Sequence, residues 1–587
     1  MKYVSSALLA GALAACQPAG VDLDEQKAAE SSAVAIGALC EAQATPISDV
    51  QGSGFASPRV GERVTVRGVI TLARPGHGLF IQEARPLTAG PASHGLFVAS
   101  PELAAVSDGG ELIAIGGQVG EVGERDDTIT AIVAVEAHQV CGQGPEPPVF
   151  DARLPLSPEE REGFEAMRVQ LEQSLTVTEA RGVADGQIIV SALGLLRAPT
   201  EVALPGPEAM AQERKNRDWS LAVRNEALRD IEPYTKIHAG AVVNALNGVL
   251  GHDGWQISLI TAGDIAAVAG PVPPIPEAAD DAIRVASFNL YEYFNGDGLG
   301  GGFPGERGAN TAREFERQAA RIAAAIAEIG PDILAVQELE NDGFGPHSAV
   351  QHLSNALSQA LGAAFEVAIP RSERAGSDVI SVGLLYRSDR VTAEGPARLL
   401  EGGTFGPLNR VPLAQRFIDR ASGERFLVVS NHLKSKGFCP ESGPDTAHGD
   451  GQACWNPTRV EGALETLRWA SDLAAESGTS SLLLVGDFNA YRLEDPVRAL
   501  LDEGLVELVA HHQPELAHYS YIYRGAAGTL DYAFASQSLA EVSSNAFIWH
   551  VNAAYPFSSR PSQPWLRSSD HDPVVVDLRF TQSTTSD

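Results

Sequence analysis

One apolar segment that ends in polar residues constrains this chain more than any other: Ser481 to Ala490 reads SLLLVGDFNA. Four consecutive apolar residues, Leu482 to Val485, predict a strand that is buried on both faces. Gly486 suits a sharp turn at the end of that strand. Asp487 and Asn489 alternate by two, so they can present a carboxylate and an amide on the same side. On its own, such a pair is as often a turn former as a catalyst.

The same design recurs elsewhere in the chain. Apolar runs meet polar residues in five further segments: Ile283 to Leu290 with Asn289, Asp332 to Glu340 with Glu338, Phe426 to Lys436 with His432, Thr529 to Phe534 with Asp531, and Ser568 to Val576 with Asp570 and His571. Each segment alone is an ordinary turn. Together they supply the carboxylates, amides and histidines that metal-assisted hydrolysis of a phosphodiester needs.

The six motifs, in this order, resemble those of the endonuclease/exonuclease/phosphatase superfamily, whose best-known member is DNase I. The segment NHLKSKG, followed by CPESGPDTAHGDGQACWN, is similar to the bacterial extracellular-nuclease branch of the ExeM/NucH type. The resemblance covers residues 283–580 strongly and the preceding chain more loosely. It implies an α/β fold in which a DNase I-like four-layer sandwich carries its active site at one edge.

The resemblance also implies a metal site. Glu338 would be the principal ligand, with Asn289 and Asp570 nearby. Oxygen ligands suit a divalent cation, with Mg²⁺ the first candidate and Mn²⁺ or Ca²⁺ as alternatives. The cysteines do not offer the spacing of a zinc site.

The remaining motif residues would act on water and phosphate. The resemblance implies that His571, oriented by Asp531, polarises the attacking water, because a carboxylate behind an imidazole fixes its tautomer and favours its charged form. Asp487 and Asn489 would position water and phosphate oxygens, and His432 would donate to the phosphate. Which group is the base and which only orients stays open.

Net charge limits how such a protein can bind nucleic acid. The chain has 75 acidic and 43 basic residues, a net charge of −32, which repels nucleic acid at long range. Binding must therefore depend on a local patch and on divalent cations. Lys434 and Lys436 are candidates for phosphate contact, and so is Arg387, for which a strand cap in solvent is the alternative.

Two residues just before Asp570 have two interpretations as well. Trp565 and Arg567 could enter a groove of the nucleic acid, but such a Trp more often packs a loop.

The first residues resemble a bacterial lipoprotein signal. Residues 1–15 contain an apolar run that is too short to span a bilayer, and the run closes as Leu13-Ala14-Ala15-Cys16. We expect cleavage to leave Cys16 lipidated, so that the lipid anchors the protein in a membrane. Gln17 points to the outer membrane, with the protein facing the periplasm or the cell surface. The alternative is an ordinary secretory signal and an extracellular protein.

Composition shifts predict the remaining organisation. The expected segments are a tether at 16–38, an OB-like β-barrel at 39–144, a proline-rich linker at 145–158, a second β-rich, OB-like domain at 159–268, a second linker at 269–282, the catalytic domain at 283–580 and a tail at 581–587. The barrel is either a spacer or a clamp for nucleic acid, with Phe80 and Phe97 as its only stacking candidates.

Local patterns add four expectations. Glu213 to Asp218 (ERKNRD) is predicted as a solvated loop, with DNA contact as the alternative, and His252 to Gly254 as a hairpin turn. Apolar spacing predicts a helix over Thr311 to Ile329. The glycine-rich segment Asn295 to Gly308 is predicted to be a mobile insertion.

Four cysteines remain after Cys16, an even number that suits two disulfides in an oxidising compartment. Cys439 and Cys454 flank one loop and are expected to pair. Cys40 and Cys141 bracket the barrel and could join its ends, although free buried thiols are the alternative.

The sequence therefore predicts an exported, metal-dependent endonuclease that hydrolyses DNA, with RNA left open. One alternative is a phosphoesterase of the same fold that acts on phospholipid, inositol phosphate or nucleotide. Another is a surface-binding protein with a dead nuclease domain. Loss of any of the six motifs would favour the latter, and none is lost.

Overall fold

The computed structural model describes residues 39–84, 90–124, 127–230, 237–252, 257–261, 265–406, 408–514, 518–557 and 563–580. The predicted signal peptide with Cys16, the tether, the tail at 581–587 and residues 253–254 of the predicted hairpin turn lie outside the described residues. No helix within the described residues has the length and apolar character needed to cross a bilayer. The chain divides into two compact units, one up to Phe150 with Glu159–Arg168, the other Asp151–Pro158 with Val169 onwards.

A closed barrel with strand order β1-β2-β3-β5-β4 dominates the first unit. Its strands are β1 (Arg63–Arg74), β2 (Gly78–Gln82), β3 (Gly95–Val98), β4 (Glu111–Glu124) and β5 (Asp127–Gln143), with two short helices, α1 (Ile47–Gln51) and α2 (Pro101–Ala104). All neighbouring strands pair antiparallel except β3 and β5, which are parallel. A disulfide between Cys40 and Cys141 joins the two ends of this segment.

The two aromatic residues expected on the barrel surface are inside it. Phe80 is fully buried and Phe97 is 7% exposed, and their ring centroids lie 4.9 Å apart. A ring that packs within the protein cannot stack on a nucleobase, so the prediction of Phe80 and Phe97 as stacking candidates is wrong.

The other unit begins with a second ring of strands. Here the order is β13-β11-β12-β10-β8-β7, and β11 also pairs with β7. The strands are β7 (Arg168–Glu179), β8 (Gln187–Ser191), β10 (Ser220–Arg224), β11 (Val242–His252), β12 (Ile257–Ile260) and β13 (Ala267–Val268); β6 (Phe150–Asp151) precedes them. The third and fifth strands of the ring, β10 and β12, are parallel. The ring therefore repeats the strand order and the single parallel pair of the first barrel.

The polar segment Glu213 to Asp218 is helical, and its prediction as a loop is wrong. It forms the end of α5 (Pro207–Asp218), one of three short α-helices in this part of the chain with α3 (Pro158–Gly163) and α4 (Pro199–Val202). Proline in the first turn is pre-organised for a helix, and the residues that follow it are good helix formers.

Two mixed sheets form the rest of the second unit. The first has the order β16-β17-β15-β14-β28-β27, and the second has the order β18-β20-β21-β22-β26-β23, with β19 paired to β20. The first contains β14 (Ile283–Tyr293), β15 (Ile333–Glu340), β16 (Phe365–Val367), β17 (Ile380–Arg387), β27 (Ser543–Ile548) and β28 (Val574–Leu578). The second contains β18 (Val391–Ala393), β19 (Arg398–Leu399), β20 (Leu413–Asp419), β21 (Arg425–His432), β22 (Leu482–Asp487), β23 (Val506–Glu507) and β26 (Asp531–Ala535).

Helices cover both sheets. They are α6 (Ala312–Ile329), α7 (Ala349–Leu361), α8 (Asn456–Glu476), α9 (Asp495–Asp502), α10 (Leu508–His512) and α11 (Gln537–Ala540). The helix predicted over Thr311 to Ile329 is thus present as α6. The Thr311 hydroxyl caps it by accepting a hydrogen bond from the Glu314 amide at 3.2 Å, and Gly330 ends it in a left-handed conformation.

Three apolar cores divide this domain into layers. Val285 of the first sheet and Val428 of the second belong to the core between the sheets. The next residue along β14, Ala286, belongs instead to the core shared with α6 and α7, and Val429 belongs to the core shared with α8. Alternate residues of each central strand thus fill two cores, which explains their continuous apolar runs. The result is a helix–sheet–sheet–helix sandwich.

The β-rich ring at residues 169–261 is attached to this sandwich by specific contacts. β9 (Leu196–Arg197) pairs with β25 (Ala526–Gly528), which pairs with β24 (Tyr521–Tyr523). The Thr178 hydroxyl donates to the Gly525 carbonyl, and the Thr200 hydroxyl donates to Glu494 at 2.6 Å. The ring and the sandwich, which the sequence predicts as separate domains, form one compact unit.

Two segments predicted to be loose are held in place. In the linker at 269–282, the Pro273 carbonyl accepts a hydrogen bond from the Trp549 indole at 3.0 Å. In the glycine-rich segment, the Asn295 amide donates to Glu340 at 2.8 Å and the Gly308 amide to Glu292 at 3.3 Å. Both segments are therefore anchored to the sandwich.

The loop after His432 is closed by a disulfide between Cys439 and Cys454, whose Cα atoms lie 5.5 Å apart. Arg459, which is completely buried, donates to the carbonyls of Lys434, Cys454 and Gln452 at 3.0–3.2 Å. One guanidinium therefore fixes the backbone on both sides of the disulfide.

Loss of this disulfide should lower stability. The bridge closes a loop of 15 residues, for which the chain-entropy model gives about 3 kcal/mol. We expect Cys439→Ser to lower the melting temperature and to weaken DNA binding, with hydrolysis of a small phosphodiester retained. Ser442→Ala, an exposed change in the same loop, is the control. Peptide mapping that finds both thiols free in the wild-type protein would refute the idea.

Glu201 should matter for holding the ring on the sandwich. This buried carboxylate accepts the Thr529 amide at 3.0 Å and lies 3.5 Å from Arg197. Glu201→Ala leaves the buried Thr529 amide without this acceptor and removes the ion pair with Arg197, so we expect a loss of about 2 kcal/mol in the free energy of unfolding. Chemical denaturation measures it, with the exposed Glu208→Ala as the matched control. Equal stability of the two variants would contradict this role.

Candidate active site

Two parallel strand pairs, one in each sheet, end at the same place. Asn289 of β14 is in register with Gln337 of β15, and His432 of β21 with Asp487 of β22. The Asn289 amide donates to the Asp487 carboxylate at 3.3 Å, which joins the two sheets. The carboxyl ends of both pairs therefore meet in one cluster.

Glu338 reaches this cluster because its backbone departs from regular strand geometry. It has a φ of +59° in a stretch of β15 where the pairing register shifts. Such bulges re-aim side chains, and a left-handed non-glycine residue costs about 1–3 kcal/mol. Its carboxylate accepts the Glu292 amide at 3.1 Å. The bulge therefore turns the Glu338 side chain into the cluster, where the Asp570 and His571 charges act on it.

The acidic groups at this edge suit a hard cation. Burial raises the pKa of Glu338, and the negative charge of Asp570 raises it further. A bound divalent cation would relieve both effects, and carboxylate and amide oxygens are the ligands that Mg²⁺ and Ca²⁺ prefer. Glu338, Asp570 and Asn289 thus fit the predicted metal site by their chemistry.

His571 and Asp531 form a hydrogen-bonded pair, with His571 Nδ1 2.7 Å from Asp531 Oδ2. Ser520 donates to the same carboxylate oxygen at 2.6 Å, and the Tyr521 ring packs 4.6 Å from the imidazole. Burial lowers the pKa of His571, but the carboxylates of Asp531, Asp570 and Asp487 outweigh it and hold that pKa well above its usual value. The surrounding carboxylates therefore favour the protonated form of His571.

A second group of residues could also hold a cation. Asp487, Asp531 and His571 offer ligand atoms that all lie within 4.8 Å of one another. Asp531 Oδ2 already contacts both His571 and Ser520, so a cation bound there would have to displace these hydrogen bonds. The arrangement of His571 and Asp531 is also that of an acid–base pair.

Asp487 lies at the centre of the cluster. It accepts hydrogen bonds from the Asn489 backbone amide at 2.8 Å and from the Asn489 side chain at 3.2 Å. Burial raises the pKa of Asp487 to about 7, with His571 opposing and Asp531 adding to the shift. Asn489, with a φ of +49°, also donates to the Leu433 carbonyl at 3.1 Å. Asp487 can therefore exchange a proton near neutral pH.

His432 is buried beside Asp487, with Nε2 3.5 Å from Asp487 Oδ2. Burial lowers the pKa of His432 far below its usual value, and the nearby Arg410 guanidinium lowers it further. The ring is therefore neutral and can donate a single N–H. Arg410, which the sequence analysis missed, is buried and pairs with Asp378 at 3.3 Å.

The three predicted phosphate contacts lie in different places. Lys434 borders the cluster with its ammonium 5.1 Å from the Trp455 ring, and burial lowers the pKa of Lys434 to about 8. Lys436 instead pairs with the buried carboxylate of Glu494, which leaves its charge satisfied within the protein.

Arg387 is not brought to the cluster. It pairs with Asp332 at 3.3 Å and with Asp389 at 2.7 Å. Asp332 immediately precedes β15, whereas Glu338 lies near the other end of that strand. Arg387 therefore lies at the opposite end of the sheet, as expected of the strand cap considered as its alternative.

Arg181 was missed by the sequence analysis, whereas Arg567 and Trp565 were considered as candidates to enter a groove of the nucleic acid. Arg181, from the β-rich ring, donates to the Tyr521 hydroxyl at 3.4 Å and pairs with Glu179 at 2.9 Å. Arg567 is 2% exposed and lies 4.2 Å from the centre of the Phe557 ring. Trp565 packs against Trp549 with centroids 4.9 Å apart, in agreement with its interpretation as a loop-packing residue.

Comparisons with known proteins bear on the sandwich alone. Residues 286–571 match the model of the Endonuclease/Exonuclease/phosphatase family. No curated protein matches the sequence.

Several solved structures are similar. The human Nocturnin catalytic domain with bound sulfate is 19% identical, with 52% of this chain and 97% of that chain covered and a TM-score of 0.34. A mannosyl-6-phosphatase of Bacteroides thetaiotaomicron is 18% identical over 51% and 100%, with a TM-score of 0.32. D. rerio TDP2 complexed with single strand DNA product is 14% identical over 51% and 100%, with a TM-score of 0.34.

The family match spans the strand ends that carry Asn289, Glu338, Asp487 and His571. The match to the endonuclease/exonuclease/phosphatase family model therefore covers residues 286–571, the part of the chain that contains the cluster.

Proposed function

We propose that this protein is a divalent-cation-dependent nuclease that cleaves internal phosphodiester bonds of DNA outside the cell, with RNA as a second substrate to test. The observation that supports it most directly is the cluster in which Asp487 meets Asn289 from the facing sheet, beside the His571–Asp531 pair. Phosphodiester hydrolysis needs a base for water and stabilisation of developing charge, and this cluster supplies groups for both.

The residues divide this work. Asp487, with a pKa raised to about 7, is suited to accept a proton from water, and Asn489 fixes its orientation. His571 holds a positive charge against the substrate phosphate or delivers a proton to the leaving oxygen, with Asp531 and Ser520 fixing its ring. A cation held by Glu338, Asp570 and Asn289 would supply Lewis-acid polarisation of a phosphate oxygen.

Local positive charge favours an anionic substrate despite the net charge of −32. Burial lowers the pKa values of His432 and Lys434, and the positive charge of the nearby Arg410 lowers both further. Arg181 contacts Tyr521, the residue packed on His571. Cationic side chains from three segments thus surround the cluster in an otherwise acidic protein.

We also propose that both rings of strands are OB-type barrels that serve nucleic-acid binding. The strand order of each, with the third and fifth strands parallel, supports this assignment. OB folds bind oligonucleotides with the loop between their first two strands among others. In the second ring that loop is the turn Arg181–Asp185, which carries Arg181 to Tyr521.

The site assignment is tested by Glu338→Gln and His571→Ala on purified protein. His571→Ala removes an acid–base group, which lowers a rate about 10²- to 10⁴-fold, and Glu338→Gln removes a carboxylate from the proposed metal site; we expect a loss of about this size for both variants on supercoiled plasmid DNA. Nicked and then linear products would show internal cleavage. The exposed Glu316→Gln and His511→Ala are matched controls and should retain activity.

Near-wild-type DNA hydrolysis by either variant, with Mg²⁺ present, would contradict the assignment. Parallel assays with linear DNA, RNA, a phospholipid and an inositol phosphate separate the nuclease from a phosphoesterase of the same fold. Activity on the last two alone would refute the proposed substrate.

Lipidation of Cys16 is a separate proposal, supported by Leu13-Ala14-Ala15-Cys16 at the close of the apolar run. It would anchor the enzyme to the outer membrane and fits the ExeM/NucH-type branch of extracellular nucleases. Mass spectrometry of the mature protein should find an acylated Cys16 at the N-terminus, and Cys16→Ser should release the protein from membranes. A mature N-terminus elsewhere, without acyl mass, would leave ordinary secretion.

A further inference from the structure

Two aromatic rings stand exposed beside the catalytic cluster. Tyr291 is 42% exposed and Phe557 is 41% exposed, and their ring centroids lie 5.5 Å apart with a tilt of 30°. We call this pair the aromatic shelf. Most other residues around the cluster are buried, so the shelf is an apolar surface that the protein leaves open to solvent at its active site.

The shelf is part of the site. The Tyr291 backbone amide donates to the Asn289 side chain at 3.1 Å, and Ser569, next to Asp570, donates to the Asn289 carbonyl at 2.7 Å. Partial burial raises the pKa of Tyr291, the charge of Asp570 raises it further, and Arg567 opposes them. The Tyr291 hydroxyl is therefore close to both Asp570 and Arg567.

A buried guanidinium lies behind the shelf. Arg567 is 2% exposed, its Cζ is 4.2 Å from the Phe557 centroid, and its Nη1 donates to the Asn552 carbonyl. Among the described residues, its Nε and Nη2 find no acceptor. The carboxylates of Asp570, Asp572 and Glu179 act on its charge at longer range, so the guanidinium is a buried cation held against the back of the Phe557 ring.

The backbone is strained at two residues of this group, Tyr291 and Arg567. Tyr291 has a φ of +55° and Arg567 a φ of +54°, conformations that non-glycine residues rarely adopt. Strain that persists at an active site is a sign that the positions of these side chains are selected.

We propose that the aromatic shelf stacks a nucleobase next to the scissile phosphate, on the Phe557 ring that the buried Arg567 guanidinium supports from behind. This inference rests on the proposed nuclease function and narrows its substrate. A ring face can stack only on a base that has left the double helix, so the substrate at this site is a single strand or a stretch of duplex that has opened locally, as supercoiled DNA allows. The guanidinium behind Phe557 strengthens the shelf through a cation–π contact.

Short oligonucleotides test the shelf. A single-stranded tetranucleotide is compared with one in which the residues beside the scissile bond are abasic, using wild type, Phe557→Ala, Phe557→Leu and Phe557→Trp. Stacking on one base is worth about 1–3 kcal/mol, equivalent to about 5- to 150-fold in kcat/KM. We expect Phe557→Ala and Phe557→Leu to lose this factor on the natural substrate, and Phe557→Trp to keep it.

The abasic substrate is the control for structural damage. Wild type should cleave the abasic tetranucleotide about as slowly as Phe557→Ala cleaves the natural one. The Phe557→Ala change should not alter the rate at which the abasic tetranucleotide is cleaved. Tyr291→Ala should lose the same factor on the natural substrate only. A wild-type preference for single-stranded over duplex oligonucleotides is also expected.

Other results separate the two proposals. If wild type cleaves both tetranucleotides equally and Phe557→Ala changes neither rate, the shelf is refuted and the nuclease stands. If Phe557→Ala lowers both rates alike, the ring has a structural role only and the shelf is again refuted. If wild type hydrolyses neither tetranucleotide nor any nucleic acid, but a sugar or lipid phosphate, the nuclease function itself fails.

Discussion

The site depends on contacts that hold two sheets together where their central parallel strands end. Gln337, fully buried, donates to Ser430 of the facing sheet at 3.2 Å and to Ser287 at 3.3 Å. Beyond this polar bridge, Asn289 reaches Asp487. A Cβ at Gly486 would lie 1.9 Å from the Asn431 carbonyl oxygen, so only glycine lets β22 approach β21 and bring Asp487 beside His432. Without this close fit, the two halves of the cluster would not meet.

Local pattern was enough to predict much of this arrangement. Apolar runs followed by Asn289, Glu338 and Asp487 identify strands whose carboxyl ends bear polar groups, and the structure gathers those groups at one edge. The same logic failed for Arg387, which also ends an apolar strand. Its strand, β17, runs antiparallel to β15, so its end lies at the opposite edge. Strand direction follows from connectivity across the sheet, which a local pattern does not contain.

Residues that act through distant partners could not be predicted. Lys436 looks available for phosphate in the motif, but its partner Glu494 lies 58 residues further along the chain. Tyr521 and Arg181 meet across 340 residues, and each alone resembles an ordinary surface residue. The attachment of the β-rich ring is equally long-range, and for this reason the sequence suggested two domains where the structure has one unit. Pairing information of this kind is absent from a single sequence.

The β-rich ring is attached to the sandwich by contacts between residues that are very far apart in the chain. Thr178 and Gly525 are 347 residues apart, and Thr200 and Glu494 are 294 apart. Very long loops must therefore close before Arg181 can contact Tyr521, the residue whose ring packs on His571. The cluster itself needs Asn289 and His571, which are synthesised near opposite ends of the domain. A partly made chain therefore cannot assemble the cluster, whose groups come together only once the last strand of the first sheet, β28, has been made.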